Sequence, residues 1–592
     1  MRGEGNGVEI EERPVTRGMF MAWLVASMGL LCWATATVIR TLNDSRVPLS
    51  HIYSADLIAP ASLYETWIVE GYDLGSYKFS AANFAFPDCL LYFTVRPLVG
   101  QPGPAIAVWV GLFFGFIAFS SGVAGAAVLP RGSRRYLIPL IAGLSAAYLA
   151  GNSLDFFNRT AAAELLYPCY HGGALACTFL GLALSVVAVR ARRRWVTWLT
   201  LGFLGLVCSL AIFSDRLFGI YFAPPIALSL GLFRCRYTPS VAFPLTWRRY
   251  ISVLASVTFG CAAGLVAILA VNALLPYNDV IGAFWSGLQL DELPRRTELL
   301  THQIAEECRF GNVFVIAGVL WYGVIAPTAL IVGRRTERRG LDFYIVFSYF
   351  VLLSVLFAFL NSEIARKHLG QSSNWHVYSR YFVAPEGFGV FGPAVVLAHL
   401  VGSSAHRWVR IVLAGFPMLL ALILLTLTIE RKPAEPPTVD VLDYYPDYVQ
   451  LADEAAEKYG PQRCLCGYWQ AKPITLFSRA GVRADAVRTN PERPLGVEVH
   501  WWLSNGGTYW KPPKGRKLHE YHFVIAPLSG ERDEFLLADE VVPLFGEPAD
   551  QLTRGNYVLF VYNRLKDEPL RTFGTTHPSV RELRAKLEPE GP

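Results

Sequence analysis

Apolar residues in this chain fall into long, nearly unbroken runs rather than the short alternating or helical-stripe patterns of a soluble protein. A helix needs about 20 apolar residues to cross a membrane. Eleven segments approach that length: 18–40, 104–129, 137–153, 171–190, 196–213, 217–233, 250–275, 311–333, 341–361, 387–403 and 409–428. The first contains Ala34-Thr35-Ala36, the small residues of a signal-peptide cleavage site, but they sit inside a run of 23 residues, which reads as an uncleaved signal anchor. A further apolar stretch, Phe86 to Gly100, is read as an interfacial helix on the outer surface, broken by Arg96-Pro97. Asp88 is expected to cap its start.

Composition agrees with this patterning, since 53% of residues are hydrophobic, 17% are charged and the mean hydropathy is +0.34. Those values describe an α-helical polytopic membrane protein of about 11 transmembrane helices and exclude an ordinary soluble enzyme. No nucleic-acid partner is expected.

Charge then orients the helices, because short cytoplasmic loops collect Arg and Lys. Arg131, Arg134 and Arg135 follow the second span; Arg190 and Arg192 to Arg194 follow the fourth; Arg234, Arg236, Arg248 and Arg249 follow the sixth. Arg334, Arg335, Arg338 and Arg339 follow the eighth span, and Arg407 and Arg410 the tenth, with Glu337 the only acid in these five loops. The alternate loops hold Asp56, Asp73, Asp88, Asp155, Glu164, Asp215, Asp291, Glu292, Glu306 and Glu386. The amino terminus (1–17) is therefore expected in the cytoplasm, and the acidic loops and carboxyl terminus outside. Arg outnumbers Lys 43 to 10, the usage of a GC-rich genome, so the expected location is a bacterial cytoplasmic (inner) membrane.

The membrane domain spans 18–428, with a large first outer loop at 41–103. A proline-rich linker, 429–437, leads to an expected outer-face soluble domain, 438–592, of small α/β or α+β type. Within it Tyr448 to Tyr459 reads as helix, and Pro473 to Phe477, Tyr521 to Ala526 and Tyr557 to Tyr562 read as strands. Cys464 and Cys466 are expected to be structural in a compartment that permits disulfides. Two aromatic groups, Tyr468-Trp469 and His500-Trp501-Trp502 with Tyr509-Trp510, either fill a core or stack on sugar rings.

The spans carry almost no ionisable groups, the exception being His399, read as a packed core residue. Chemistry is therefore expected at the outer surface. Asp56, held in Tyr53-Ser54-Ala55-Asp56 just after the first span, is the leading candidate for a general base. Asp155, in the second outer loop, is a candidate second acid or else a hydrated loop residue. His171, Asp215 and Arg216 are candidate pocket residues, although Asp215 and Arg216 could simply pair with each other.

At this point the chain resembles the GT-C superfamily of multi-spanning glycosyltransferases, which includes protein O-mannosyltransferases and aminoarabinose transferases. The likeness rests on the architecture, on the position of Asp56 in the first outer loop, and on Ser379-Arg380-Tyr381-Phe382-Val383-Ala384-Pro385, similar to an Arg-Tyr-x-x-Pro text before a late span. It implies a polyprenyl-phosphate-linked sugar as donor, a glycan, lipid or protein acceptor, and contact with membrane lipid. Asp56 would act as base, Arg380 and Tyr381 would bind the lipid phosphate, and the anomeric carbon would invert. Alternatively, Arg380 and Tyr381 anchor the helix at the headgroups. Many members have two adjacent acids in the first loop, whereas Ala55 and Leu57 flank Asp56. No cofactor is therefore expected; a divalent metal stays open but unsupported, since such an ion favours several oxygen ligands.

Three rivals remain open. A lipid-linked glycan transporter would show broken helices, hinted at only by Pro224-Pro225. A non-catalytic membrane scaffold would tolerate loss of the outer acids, and an O-antigen ligase or polymerase would share the donor chemistry.

Overall fold

The computed structural model describes residues 17–44, 53–79, 82–158, 168–236, 244–274, 291–309, 312–332, 339–369, 380–404, 406–429, 443–489, 497–499, 520–529 and 536–563. The linker prolines and the His500 to Trp510 aromatics lie outside the described residues.

The helices of the membrane domain are α1 (Arg17–Asp44), α2 (Ala59–Tyr64), α3 (Leu90–Val99), α4 (Pro102–Val128), α5 (Arg131–Arg134), α6 (Leu137–Asn158), α7 (Gly172–Arg190) and α8 (Arg194–Ser214). They continue with α9 (Leu217–Arg236), α10 (Trp247–Leu274), α11 (Leu293–Arg309), α12 (Val313–Leu320), α13 (Ala326–Val332), α14 (Arg339–Leu360), α15 (Glu363–His368), α16 (Val383–Ser403) and α17 (Arg407–Ile429). Among the described residues nine helices are long and apolar enough to cross a membrane, and two shorter apolar helices, Leu137–Ser153 and Val315–Ile331, occupy the remaining expected spans. The protein is a multi-pass membrane protein. α9 runs unbroken through Pro224 and Pro225, so the hint of a discontinuous helix there is not realised.

The stretch from Phe86 to Gly100 is too short to span. It comprises a π turn, Ala85–Cys89, and α3, whose ten residues rise about 15 Å against the roughly 30 Å of a hydrocarbon core. Arg96-Pro97 does not break it. Pro97 lies in the last turn, and the helix stops three residues later at Gly100, whose φ of +81° suits glycine. Arg96 binds Glu65 at 2.6 Å and so ties α3 to the π turn that prolongs α2.

The arginines gather at one end of the bundle. Arg134 donates to Leu129 O (3.1 Å) and Arg190 to Ala127 O and Val128 O, both at the end of α4. Arg249 donates to Val189 O and Ala191 O at the end of α7, and Arg410 to Ser404 O after α16. Helix C-terminal carbonyls lack partners within their own helix, and a cation also complements the dipole there.

The carboxy-terminal domain contains α18 (Asp447–Tyr459), β1 (Arg463–Cys466), α19 (Tyr468–Phe477), β2 (Arg483–Thr489), β3 (Val497–Val499), β4 (Tyr521–Pro527), α20 (Ala538–Phe545), β5 (Asp550–Arg554) and β6 (Tyr557–Val561). The strand order is β3-β2-β1-β4-β6-β5, with β1 parallel to both β2 and β4 and the outer pairs antiparallel. Period-2 alternation sends Leu465, Val524 and Phe560 to a layer with α20, and Cys464, Cys466, Phe523 and Ile525 to a layer with α18 and α19. Cys464 and Cys466 are free buried thiols. The expected strand at Pro473 to Phe477 is instead the end of α19, the crossover between parallel β1 and β2. A short apolar run does not distinguish strand from buried helix by itself.

Candidate active site at the acidic end of the bundle

Asp56 sits in a turn whose neighbours are driven inward. Tyr53, Ser54, Ala55, Leu57 and Ile58 are all buried, whereas Asp56 is only half-buried. Ile58 N–H closes the turn on Ser54 O (3.1 Å), and Tyr53 stacks on Tyr444 with ring centroids 4.4 Å apart. Ala55 packs in the same cluster as Cys466, Tyr468 and Ala471 of the sheet domain. One carboxylate is thus left at the seam between the loop that follows α1 and the carboxy-terminal domain.

That domain supplies its partners. Tyr468 Oη donates to Asp56 Oδ1 at 2.6 Å, and Lys472 Nζ donates to Tyr468 Oη (3.0 Å) and to Ala55 O (2.9 Å). Tyr468 and Lys472 are one helical turn apart on α19, which places both on one face. Burial pushes the Lys472 ammonium down to about 7, with the charge of Asp56 opposing the shift. Burial also lifts the Tyr468 phenol well above its ordinary value, and Asp56 adds to the rise. Further along the seam Arg483 pairs with Glu70 at 2.8 Å, and Arg463 with Asp485 at 2.5 Å.

Asp88 is not the cap of α3. Its Oδ1 accepts the Cys169 N–H at 2.8 Å, its backbone carbonyl accepts Trp109 Nε1 at 2.9 Å, and Cys89 occupies the N-cap position. Burial raises its carboxyl to about 7; the Cys169 hydrogen bond opposes this and the charge of Asp215 reinforces it. Gly173 makes room for the arrangement, since a Cβ there would meet Asp88 Oδ2 at 2.5 Å and Pro87 Cδ at 2.7 Å.

Asp215 pairs with His171, and its charge also favours the neighbouring Arg216 guanidinium. His171 Nδ1 lies 2.7 Å from Asp215 Oδ2, while Asp215 Oδ1 accepts Leu217 N–H at 3.0 Å and so caps α9. His171 itself, at φ 67°, turns the chain into α7. Its ring lies 5.4 Å from that of Tyr381 and 6.0 Å from that of Phe84. Tyr221 Oη donates to Tyr381 O at 2.9 Å. Arg216 is half-buried beside this pair.

Arg380 precedes α16, with its guanidinium 5.3 Å from the centre of the Tyr381 ring and within electrostatic reach of Tyr170 and Asp56. Its Nε is buried and unpaired among the described residues. Asp56, Arg380, Tyr381, His171 and Asp215 therefore gather around the amino-terminal ends of α7, α9 and α16. Asp155 lies in the last turn of α6, and its side chain is outside the described residues. Glu386, expected in an outer loop, is in the first turn of α16 and 5% exposed; His399 is buried deeper in the same helix. Among the described residues no group of three or more His, Cys, Asp or Glu side chains is placed to hold a metal ion.

Lys472 was not legible as a site residue. Its signal is a lysine four residues after Tyr468, in a chain with few lysines, on a helix whose other residues are mostly buried.

No family model matches the chain, and no curated protein matches it. Among solved structures it is similar to the Archaeoglobus fulgidus oligosaccharyltransferase, described in complex with Zn and sulfate, with 11% identity, a TM-score of 0.33, and 80% of this chain and 68% of that chain covered. A likeness this distant carries no argument about activity, so any functional reading rests on the residues themselves.

Proposed function

We propose that this protein is a GT-C-type glycosyltransferase that moves a sugar from a polyprenyl-phosphate donor to an acceptor hydroxyl at the outer face of the membrane. The observation that carries the reading is Asp56: a half-exposed carboxylate held by a tyrosine hydroxyl, within reach of the Arg380 charge, at the end of the bundle opposite the arginine-rich loops. A base and a cation at one site are what sugar transfer from a phosphate requires.

The acceptor oxygen attacks the anomeric carbon as Asp56 takes its proton. A new carbon–oxygen bond forms, the bond from that carbon to the phosphate oxygen breaks, and the electron pair leaves with polyprenyl phosphate. Arg380 neutralises the departing phosphate through its planar guanidinium, and the unpaired Nε is a donor suited to it. The helix amino termini of α7, α9 and α16 add positive potential at the same end. Attack opposite the leaving group inverts the anomeric centre. Nothing in this scheme requires a metal.

The full-length protein, reconstituted in vesicles made from the lipids of its own cell membranes, tests the reading by mass spectrometry of free polyprenyl phosphate. The wild type is expected to release it, and Asp56→Asn to lose more than about a hundredfold of the rate, the usual scale of general-base catalysis. A fully active Asp56→Asn protein would refute the assignment. The transporter alternative is weaker because α9 is continuous through its two prolines.

A further inference from the structure

We infer that Tyr468 and Lys472 of the carboxy-terminal domain are positioning residues for Asp56, with Lys472 setting the direction of the Tyr468 hydroxyl and that hydroxyl orienting the carboxylate. The inference rests on the reading of Asp56 as the base, and it gives the carboxy-terminal domain a part in the chemistry beyond covering the site.

The argument is one of hydrogen-bond inventory. A tyrosine hydroxyl has a single proton to donate and lone pairs to accept with, an ionised carboxylate only accepts, and a lysine Nζ keeps at least two N–H donors whether charged or neutral. Lys472 Nζ occupies the accepting side of Tyr468 Oη at 3.0 Å, so the hydroxyl proton points away from the lysine and toward Asp56 Oδ1, 2.6 Å distant. A second Nζ donor binds Ala55 O at 2.9 Å, which pins the backbone one residue before the carboxylate. With Oδ1 engaged, Oδ2 is the oxygen free of Tyr468 and available to an acceptor hydroxyl. Tyr468 and Lys472 are 4% and 5% exposed, so neither side chain is free to wander. Burying a lysine is costly, and packing alone does not call for one at this position.

Among the described residues, the ionisable groups that feel the charge of Asp56 include Tyr468 and Lys472 from α19, Arg380 from the turn before α16 and Cys169 from the turn before α7. Tyr468→Phe removes one oxygen and leaves the other three in place.

The test uses the full-length protein in vesicles of its own membrane lipids, with free polyprenyl phosphate as the readout. Tyr468→Phe is expected to lower the maximal rate about tenfold, the worth of one hydrogen bond to a charged group. The donor concentration at half-maximal rate should be unchanged. Lys472→Met should lower the rate similarly, and the double variant should lose little more than either single one, because the two act in series. Limited proteolysis of Tyr468→Phe should match the wild type. If Asp56→Asn is inactive while Tyr468→Phe keeps the wild-type rate, the inference fails and the base assignment stands. If Asp56→Asn is active, or the wild type releases no polyprenyl phosphate, the base assignment fails and takes the inference with it.

Discussion

At the arginine-rich end of the bundle, Arg134, Arg190, Arg249 and Arg410 donate to carbonyls at the ends of α4, α7 and α16, whereas at the opposite end Asp56, Asp88, Asp215, His171, Arg380 and Lys472 face one another across turns and a domain seam. The first set of charges is consumed by backbone groups. The second set is held close together and partly desolvated, which moves the Asp88 and Lys472 pKa values toward neutrality. Arginine on a helix terminus meets a need every helix has. Clustered acids and bases meet no such need, and groups with shifted pKa values gathered in one place mark a candidate functional site.

The largest effect separating the two ends is expected from Asp56→Asn, which should cut release of polyprenyl phosphate by more than about a hundredfold while leaving the detergent-purified protein's melting temperature unchanged. Arg190→Met, at the other end, should do the reverse: a stability loss of about 1 to 3 kcal/mol from two orphaned carbonyls, measured by thermal unfolding, with the rate per folded molecule preserved. Equal effects of both substitutions on rate would erase the distinction.

Gly173→Ala tests how tightly the acidic end is packed. Its Cβ would press on Asp88 and Pro87, and the expected cost is about 1 to 3 kcal/mol. The pH dependence of stability sharpens the same point. A carboxyl raised to about 7 binds a proton in the folded state that the unfolded chain has already released, so it contributes stability at low pH that is lost as pH rises through about 7. The Lys472 amine, depressed to about 7, acts in the opposite sense: its contribution is present above the ordinary lysine range and is lost as pH falls through about 7. Asp88→Asn should therefore flatten the acid side of a melting-temperature profile, and Lys472→Met the alkaline side. The smallest effect is expected from chelation, since ethylenediaminetetraacetate should leave the transfer rate unchanged if Asp56 and Arg380 act without a divalent ion.

Much of the architecture could be read from the chain because it depends on local pattern. A run of apolar residues must be helical in lipid, where every backbone group needs an internal partner. The arginine alternation needed only counting, and α18 shows its buried stripe of Tyr448, Val449, Leu451, Ala452, Ala455 and Ala456 at helical spacing. Errors came where one residue type serves two settings. Pro473 to Phe477 has a strand's composition and lies in a helix; Asp88 stands where a cap would and instead holds Cys169.

The amino-acid sequence by itself determined the class of molecule, its apolar helices, the placing of arginine and acid in alternate loops, and the prominence of Asp56 in the loop after the first of those helices. Only the tertiary structure decided what surrounds that acid. Tyr468 is 412 positions from Asp56 and donates to it, and Lys472 is 417 positions from the Ala55 carbonyl it binds. Helix formation and membrane insertion follow from free energies summed along short windows of chain. The partner of a single carboxylate depends on how two separately folded regions pack, and no window of sequence contains both.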